Sequence, residues 1–120
     1  MKIIIKERPV LTPHKTKDEH FRLVKPFRVF IGDRWLEIPA GFESDGASTP
    51  SRVELPSWGH EYAEAAIVHD YLYRNHQPGI TRKRADKIFY DIMKYRGCNK
   101  YKAKTMYYAV RAFGYFAWKS

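Results

Sequence analysis

His69, Asp70 and Asp86 are the residues whose types and spacing could do chemistry, the first two within one apolar helical pattern and the third within the next. Read as a helix, Tyr62, Ala66, His69 and Tyr73 recur on one face with Ala65, Val68 and Leu72 beside them, so His69 is expected to point inward. Asp70 is rotated one position towards the edge of that stripe and leaves the helix in another direction. In the following segment Ala85, Ile88, Phe89, Ile92 and Met93 make the apolar face, and Asp86, on its flank near Tyr90, can reach the preceding helix. A histidine on an apolar face beside a carboxylate from a neighbouring helix is a recipe for a general base. The acid fixes the tautomer and stabilises the imidazolium that forms. The structural alternative is a core histidine satisfied by a backbone carbonyl.

Three helices are predicted to position these groups, over residues 61–75, 82–96 and 99–118. Pro78-Gly79 separates the first two, Thr81 is suited to cap the second, Gly97 can take a left-handed position after it, and Asn99 can cap the third. The links are short enough to make the helices antiparallel neighbours, which brings Asp86 beside His69. The third helix has a core stripe of Ala103, Met106, Val110, Phe113 and Ala117. Before the helices, residues 2–6 read as a strand, and residues 12–20 as a polar, mobile link. Residues 27–31 and 35–38 read as a hairpin turned at Gly32-Asp33, and residues 43–56 as an ordered loop rather than an element. The expected fold is α+β, with a β hairpin or small antiparallel sheet and an ordered loop packed on three C-terminal helices. It forms one domain over 1–120: a strand and arm (1–20), a β and loop region (21–58) and a three-helix region (59–120).

With 120 residues, 44% of them hydrophobic, the chain can build one modest core. A single cysteine, Cys98, rules out an intramolecular disulfide, and no cysteine and histidine cluster has zinc-finger spacing. The apolar run in MKIIIKERP is too short for a signal peptide or a membrane span, which leads to an expected cytoplasmic location or packaging into a particle. The formal charge is +9, and no acidic residue follows Asp91. Lys100, Lys104, Tyr108, Arg111, Tyr115 and Lys119 interleave cations and rings at helical spacing, a face suited to an anionic lipid interface or nucleic acid. A soluble helix whose long side chains cover its own core has the same pattern. Trp118 is expected to dock, with the domain's own sheet as one partner.

Ala65-Ala66, His69-Asp70, Tyr73 and Ala85-Asp86-Lys87-Ile88-Phe89 resemble the paired helices of the secreted and parvoviral phospholipases A2. That resemblance implies that His69 activates the attacking water, that Asp70 ligates calcium, and that Tyr73 with Asp86 orients the histidine. The glycine-rich calcium loop of those enzymes is absent in its usual form. Asp45 and the Gly46 region of the segment from Gly41 to Ser48 are the candidate sources of further oxygen ligands. The alternative role of that loop is a tight turn with Asp45 capping backbone amides.

A broader match covers nearly the whole chain after the N-terminal arm. Pro39-Ala40-Gly41-Phe42, Ser44-Asp45-Gly46-Ala47-Ser48, His69-Asp70-Tyr71-Leu72-Tyr73, Arg84-Ala85-Asp86 and Tyr108-Ala109-Val110-Arg111 resemble domain-of-unknown-function family thirteen fifty-three of bacteriophages and prophages. The match implies a viral origin, hence the host cytoplasm during infection or a virion tail, and brings no established activity.

Several functions remain open from sequence. The leading expectation is a small His-Asp hydrolase, phospholipase A2-like and calcium-dependent, acting on anionic phospholipids of the bacterial envelope. Ser48 invites a serine-hydrolase reading, although its surroundings lack the Gly-x-Ser-x-Gly form and a hydroxyl bonded to the loop backbone is more economical. His69, Asp70, Asp86 and Asp45 could together hold a transition metal, although catalytic zinc usually draws on more than one nitrogen or sulfur ligand. A non-enzymatic virion or tail-associated protein, contacting other virion proteins and using the same polar residues as a buried network, is the principal competitor. Nucleic-acid binding through the last helix is the third function.

Overall fold

The computed structural model describes residues 2–13, 21–44 and 59–119. Two three-stranded antiparallel sheets come first, one ordered β1-β4-β5 and the other β2-β3-β6. These strands are β1 (Ile3–Ile4), β2 (Leu11–Pro13), β3 (Phe21–Leu23), β4 (Phe27–Ile31), β5 (Trp35–Ile38) and β6 (Glu43–Ser44). The hairpin of β4 and β5 forms where the β-prone runs predict it, paired from Phe27 opposite Ile38 to Phe30 opposite Trp35. Its alternation places Phe27, Val29 and Ile31, with Leu36 and Ile38, in the core. Gly32 turns it at a φ of 93°, where a side chain would be strained.

The second sheet corrects two expectations. Leu11–Pro13, which overlaps the expected polar link, is a strand paired to β3, and Glu43–Ser44, at the start of the expected loop, pairs with β3 on its other side. Strands this short carry little propensity signal of their own. They form because β3 offers both edges, helped by Gly41 N donating to Leu23 O and Leu23 N to Phe42 O. The remaining parts of the link and the loop, including Asp45, Gly46 and Ser48, lie outside the described residues.

Helices α1 (Gly59–Arg74), α2 (Arg82–Tyr95) and α3 (Lys100–Phe113) follow, with a short α4 (Tyr115–Lys119) after Gly114. Thr81 Oγ1 accepts from Arg84 N at 3.1 Å and Asn99 Oδ1 from Tyr101 N at 2.8 Å, so both expected caps hold. The left-handed Gly97 ends α2 in a Schellman motif, with Cys98 N donating to Met93 O and Gly97 N to Lys94 O.

α1 is the central element: every residue from Glu64 to Asp70 is buried, with α2, β6 and α4 packed around it. Such all-round burial explains why Asp70, expected at the edge of the stripe, is also inside. Glu64 is buried with it and holds Arg8 at 3.0 Å and Arg96 at 2.9 Å, tying the N-terminal segment to the end of α2. The third predicted helix is broken at Gly114. Ala103, Met106 and Val110 are buried as expected, whereas Phe113, at the broken end, is exposed. Trp118 docks on α1 rather than on a sheet, stacked on His76 with ring centroids 3.8 Å apart and edge-on to Tyr73 at 5.2 Å. Among the described residues no helix is long and apolar enough to cross a membrane.

Candidate functional site

One carboxylate joins three helices. His69 and Tyr73 are four residues apart on α1 and so share a face, and the antiparallel α2 presents Asp86 to both. His69 Nε2 lies 2.6 Å from Asp86 Oδ1, and the Tyr73 hydroxyl donates to the same oxygen at 2.5 Å. Arg111 of α3 donates to Oδ2 at 2.9 Å, and Arg82, one turn before Asp86 on α2, stands 3.5 Å from it. The Arg82 guanidinium also donates to the carbonyls of Val110 and Arg111, both at 3.2 Å, so it ties the end of α3 to the same centre. The rings of Tyr73 and Phe89 lie against His69 with centroids 4.2 and 4.8 Å away.

The protonation states follow from these contacts. Burial pushes the Asp86 carboxyl upward, but hydrogen bonds from His69 and Tyr73, with the Arg111 pairing, prevail and hold it below the ordinary aspartate value. Burial drives the His69 imidazole below its usual value, and the attraction of Asp86 offsets only part of that. Tyr73 is raised, first by burial and then by the neighbouring negative charge, so it stays a donor. An ionised Asp86 accepts, so neutral His69 carries its proton on Nε2, and Nδ1 presents a lone pair. Among the described residues Nδ1 has no hydrogen-bond partner, although it is buried.

This arrangement makes stability sensitive to pH. A base whose folded value is depressed binds fewer protons folded than unfolded, so its contribution is complete above the unfolded value of 6.5 and is lost as pH falls towards the folded one. The urea midpoint is expected to drop as pH falls below about 6.5. His69→Gln, which cannot titrate there, is expected to flatten that drop; an equally steep drop in the variant would remove His69 as its cause.

The structure thus brings together His69, Tyr73 and Asp86, the three expected catalytic residues. Asp70 is buried and partnered, but it is not part of the Asp86 cluster bonds described above. Asp45, its expected companion in holding calcium, and Gly46 and Ser48 lie outside the described residues. Of the expected calcium ligands Asp70 is the one among the described residues, where calcium takes six to eight oxygens. Among the described residues no three His, Cys, Asp or Glu side chains form a metal-holding group. Asp86 is engaged by His69, Tyr73 and two guanidinium groups, which argues against its place in a transition-metal set.

The expected basic face of the last helix divides. Lys100 and Lys104 are exposed, and Lys119 lies at the end of α4. Arg111 turns inward to Asp86, because a buried carboxylate within reach is a stronger partner than water. Arg111 was expected on the anionic face rather than at Asp86, and Arg82 and Gly114 are the positions at this cluster that sequence reasoning missed. The i,i+4 spacing of Arg82 and Asp86 was the available signal for Arg82. A Cβ on Gly114 would collide with the Tyr73 hydroxyl and the Val110 carbonyl, a contact visible only in three dimensions.

A mixed α+β domain carrying a buried His-Asp-Tyr cluster between its helices is therefore the class defined by fold and site. The chain belongs to the family described as "Protein of unknown function (DUF1353)", whose model matches residues 21–110. It is similar to "Uncharacterized protein y4iH" of Sinorhizobium fredii (strain NBRC 101917 / NGR234), 39% identical over 75 residues that make up 60% of this chain and 30% of that protein. It is also similar to "Uncharacterized protein y4jT" of the same strain, 34% identical over 87 residues, 69% of this chain and 25% of that protein. The chain spans less than a third of the length of either relative. No solved structure matches it.

Proposed function

We propose that this domain is a hydrolase of the phospholipase A2 kind, of phage origin, acting on ester bonds of bacterial envelope phospholipids with His69 as general base. The observation that carries the reading is the buried Nδ1 of His69, which presents a lone pair while Nε2 is held by Asp86. In this reaction a water oxygen bonds to the ester carbonyl carbon while Nδ1 takes its proton. The acyl carbon to alkoxide bond then breaks and the imidazolium returns the proton to the departing alkoxide, giving a fatty acid and a lysophospholipid. Asp86 and Tyr73 orient the ring, and Asp86 stabilises the imidazolium. Calcium is part of the proposal: Asp70 and Asp45 would be the residues to hold it, and it would supply carbonyl polarisation. The site of action is the host cytoplasm during infection or the virion tail. Because His69 is wholly buried, turnover on this reading needs the cover over Nδ1 to open on substrate.

That same burial favours a second reading, in which the cluster is a buried polar network fixing the helices of a non-enzymatic virion protein. Fatty-acid release from anionic phospholipid vesicles, in calcium and in chelator, separates the two. Release by the wild type that disappears in folded His69→Ala supports the hydrolase, and its loss in chelator supports the calcium ion. Absence of release in every condition overturns the hydrolase reading in favour of the network.

A further inference from the structure

We propose that the groove between α2 and α3, on a different face from the His-Asp cluster, binds single-stranded nucleic acid. Two adjoining hollows form it. One of about 250 Å³ is lined by Lys87, Tyr90, Lys104, Tyr107 and Tyr108, and one of about 510 Å³ by Thr81, Lys83, Arg84, Lys87 and Tyr107. Lys87 and Tyr107 belong to both, so the hollows run into one another.

Charge comes first. Lys83, Arg84, Lys87 and Lys104 stand on both walls of the groove. Among the described residues the acids paired with them are Asp91, 3.2 Å from Lys87, and Asp33, 4.0 Å from Arg84 and closer to Arg34 at 3.1 Å. Cations remain in excess, and the Arg84 Nε donor, though buried, has no hydrogen-bond partner among the described residues.

The rings decide which polyanion fits. Tyr90 and Tyr107 meet edge to face with centroids 5.8 Å apart, Tyr107 and Tyr108 do the same at 5.5 Å, and Tyr108 is 64% exposed. Lys87 Nζ lies 4.7 Å over the Tyr90 ring, which leaves Tyr108 as the open ring; cations interleaved with it in a concave track suit a strand whose phosphates meet the charges and whose unpaired bases stack on that ring. A duplex keeps its bases stacked on each other, and an acidic peptide would leave the tyrosine faces unused. A membrane surface is flat, and the most exposed large apolar side chain among the described residues, Phe116, lies on α4 outside this groove.

The test is fluorescence anisotropy of the full chain with a labelled thymidine oligomer, against its duplex, polyglutamate and anionic vesicles. The strand is expected to bind most tightly, with affinity falling steeply as salt rises. Lys83→Glu with Lys104→Glu is expected to cost at least about tenfold, since each reversal repels a phosphate. Tyr108→Ala is expected to weaken the strand by roughly tenfold while leaving polyglutamate unchanged, the mark of stacking rather than charge. All three residues are exposed, so the variants should fold, which thermal melting checks; Lys104→Gln and Tyr108→Ser serve if either does not. Equal affinity for polyglutamate, duplex or vesicles, or a Tyr108→Ala variant that binds the strand like the wild type, would overturn the proposal.

Discussion

Asp86→Ala is expected to destabilise the domain by about 3–5 kcal/mol, the range for removing one partner of a buried ion pair. The carboxylate is fully buried and accepts from His69, Tyr73 and Arg111, so its loss leaves two neutral donors unpaired in the interior and a guanidinium without its anion. The cavity left by the side chain is a lesser term, since an aspartate is small. Out of a total stability of about 5–15 kcal/mol, such a loss should lower the melting temperature by 10 °C or more, roughly. Asp86→Asn keeps the shape and one acceptor but not the charge, so it should fall between Ala and the wild type. Acid provides an independent check. Because the Asp86 value is depressed in the fold, its contribution is present above the ordinary aspartate range and is lost as pH falls through the folded value. In the wild type the loss of stability should continue below about pH 4, and in Asp86→Asn that part should flatten. A melting temperature within a degree or two of the wild type in Asp86→Ala would show that the carboxylate does not hold the three helices together.

The parts of this fold legible in sequence are those governed by local rules. Thr81, Gly97 and Asn99 mark helix ends through caps and a left-handed glycine, and the alternation in residues 27–31 and 35–38 marks a hairpin. The meeting of His69, Tyr73 and Asp86 was legible too, since spacing puts two of them on one face and short links bring the third across. What escaped depends on encounters between distant residues. The pairs from Leu11 to Leu23 and from Arg22 to Glu43 make strands from stretches of two or three residues, too short for alternation to mark them. Arg111 has the same helical spacing as the exposed lysines and differs only in having Asp86 within reach. Asp70 is buried because α1 is enclosed on more than one side, which a single stripe of apolar residues does not reveal.

Gly114→Ala is expected to destabilise by about 1–3 kcal/mol, the range for overpacking, although local preference points the other way. With φ at −74° and ψ at −11°, the glycine sits in ordinary helical space, where alanine is favoured by about 1 kcal/mol. Sterics outweigh that preference here. The added Cβ would fall against the Tyr73 hydroxyl and the Val110 carbonyl, and neither can yield cheaply. Val110 O accepts from Gly114 N and from Arg82, while the Tyr73 ring is held between His69 and Trp118. Relief requires Tyr73 to leave Asp86 or α4 to lift, and α4 carries the Trp118 side chain that covers Tyr73 and His76. The pairing with Tyr73 can be isolated. Tyr73→Phe alone should cost about 1.5–3 kcal/mol for the lost hydrogen bond to a charged acceptor. The double variant should cost less than the sum of the two, because Phe removes the atom nearest the new methyl group. Urea unfolding of the four proteins measures that coupling, and strictly additive losses would place the strain of Gly114→Ala on the Val110 carbonyl rather than on Tyr73.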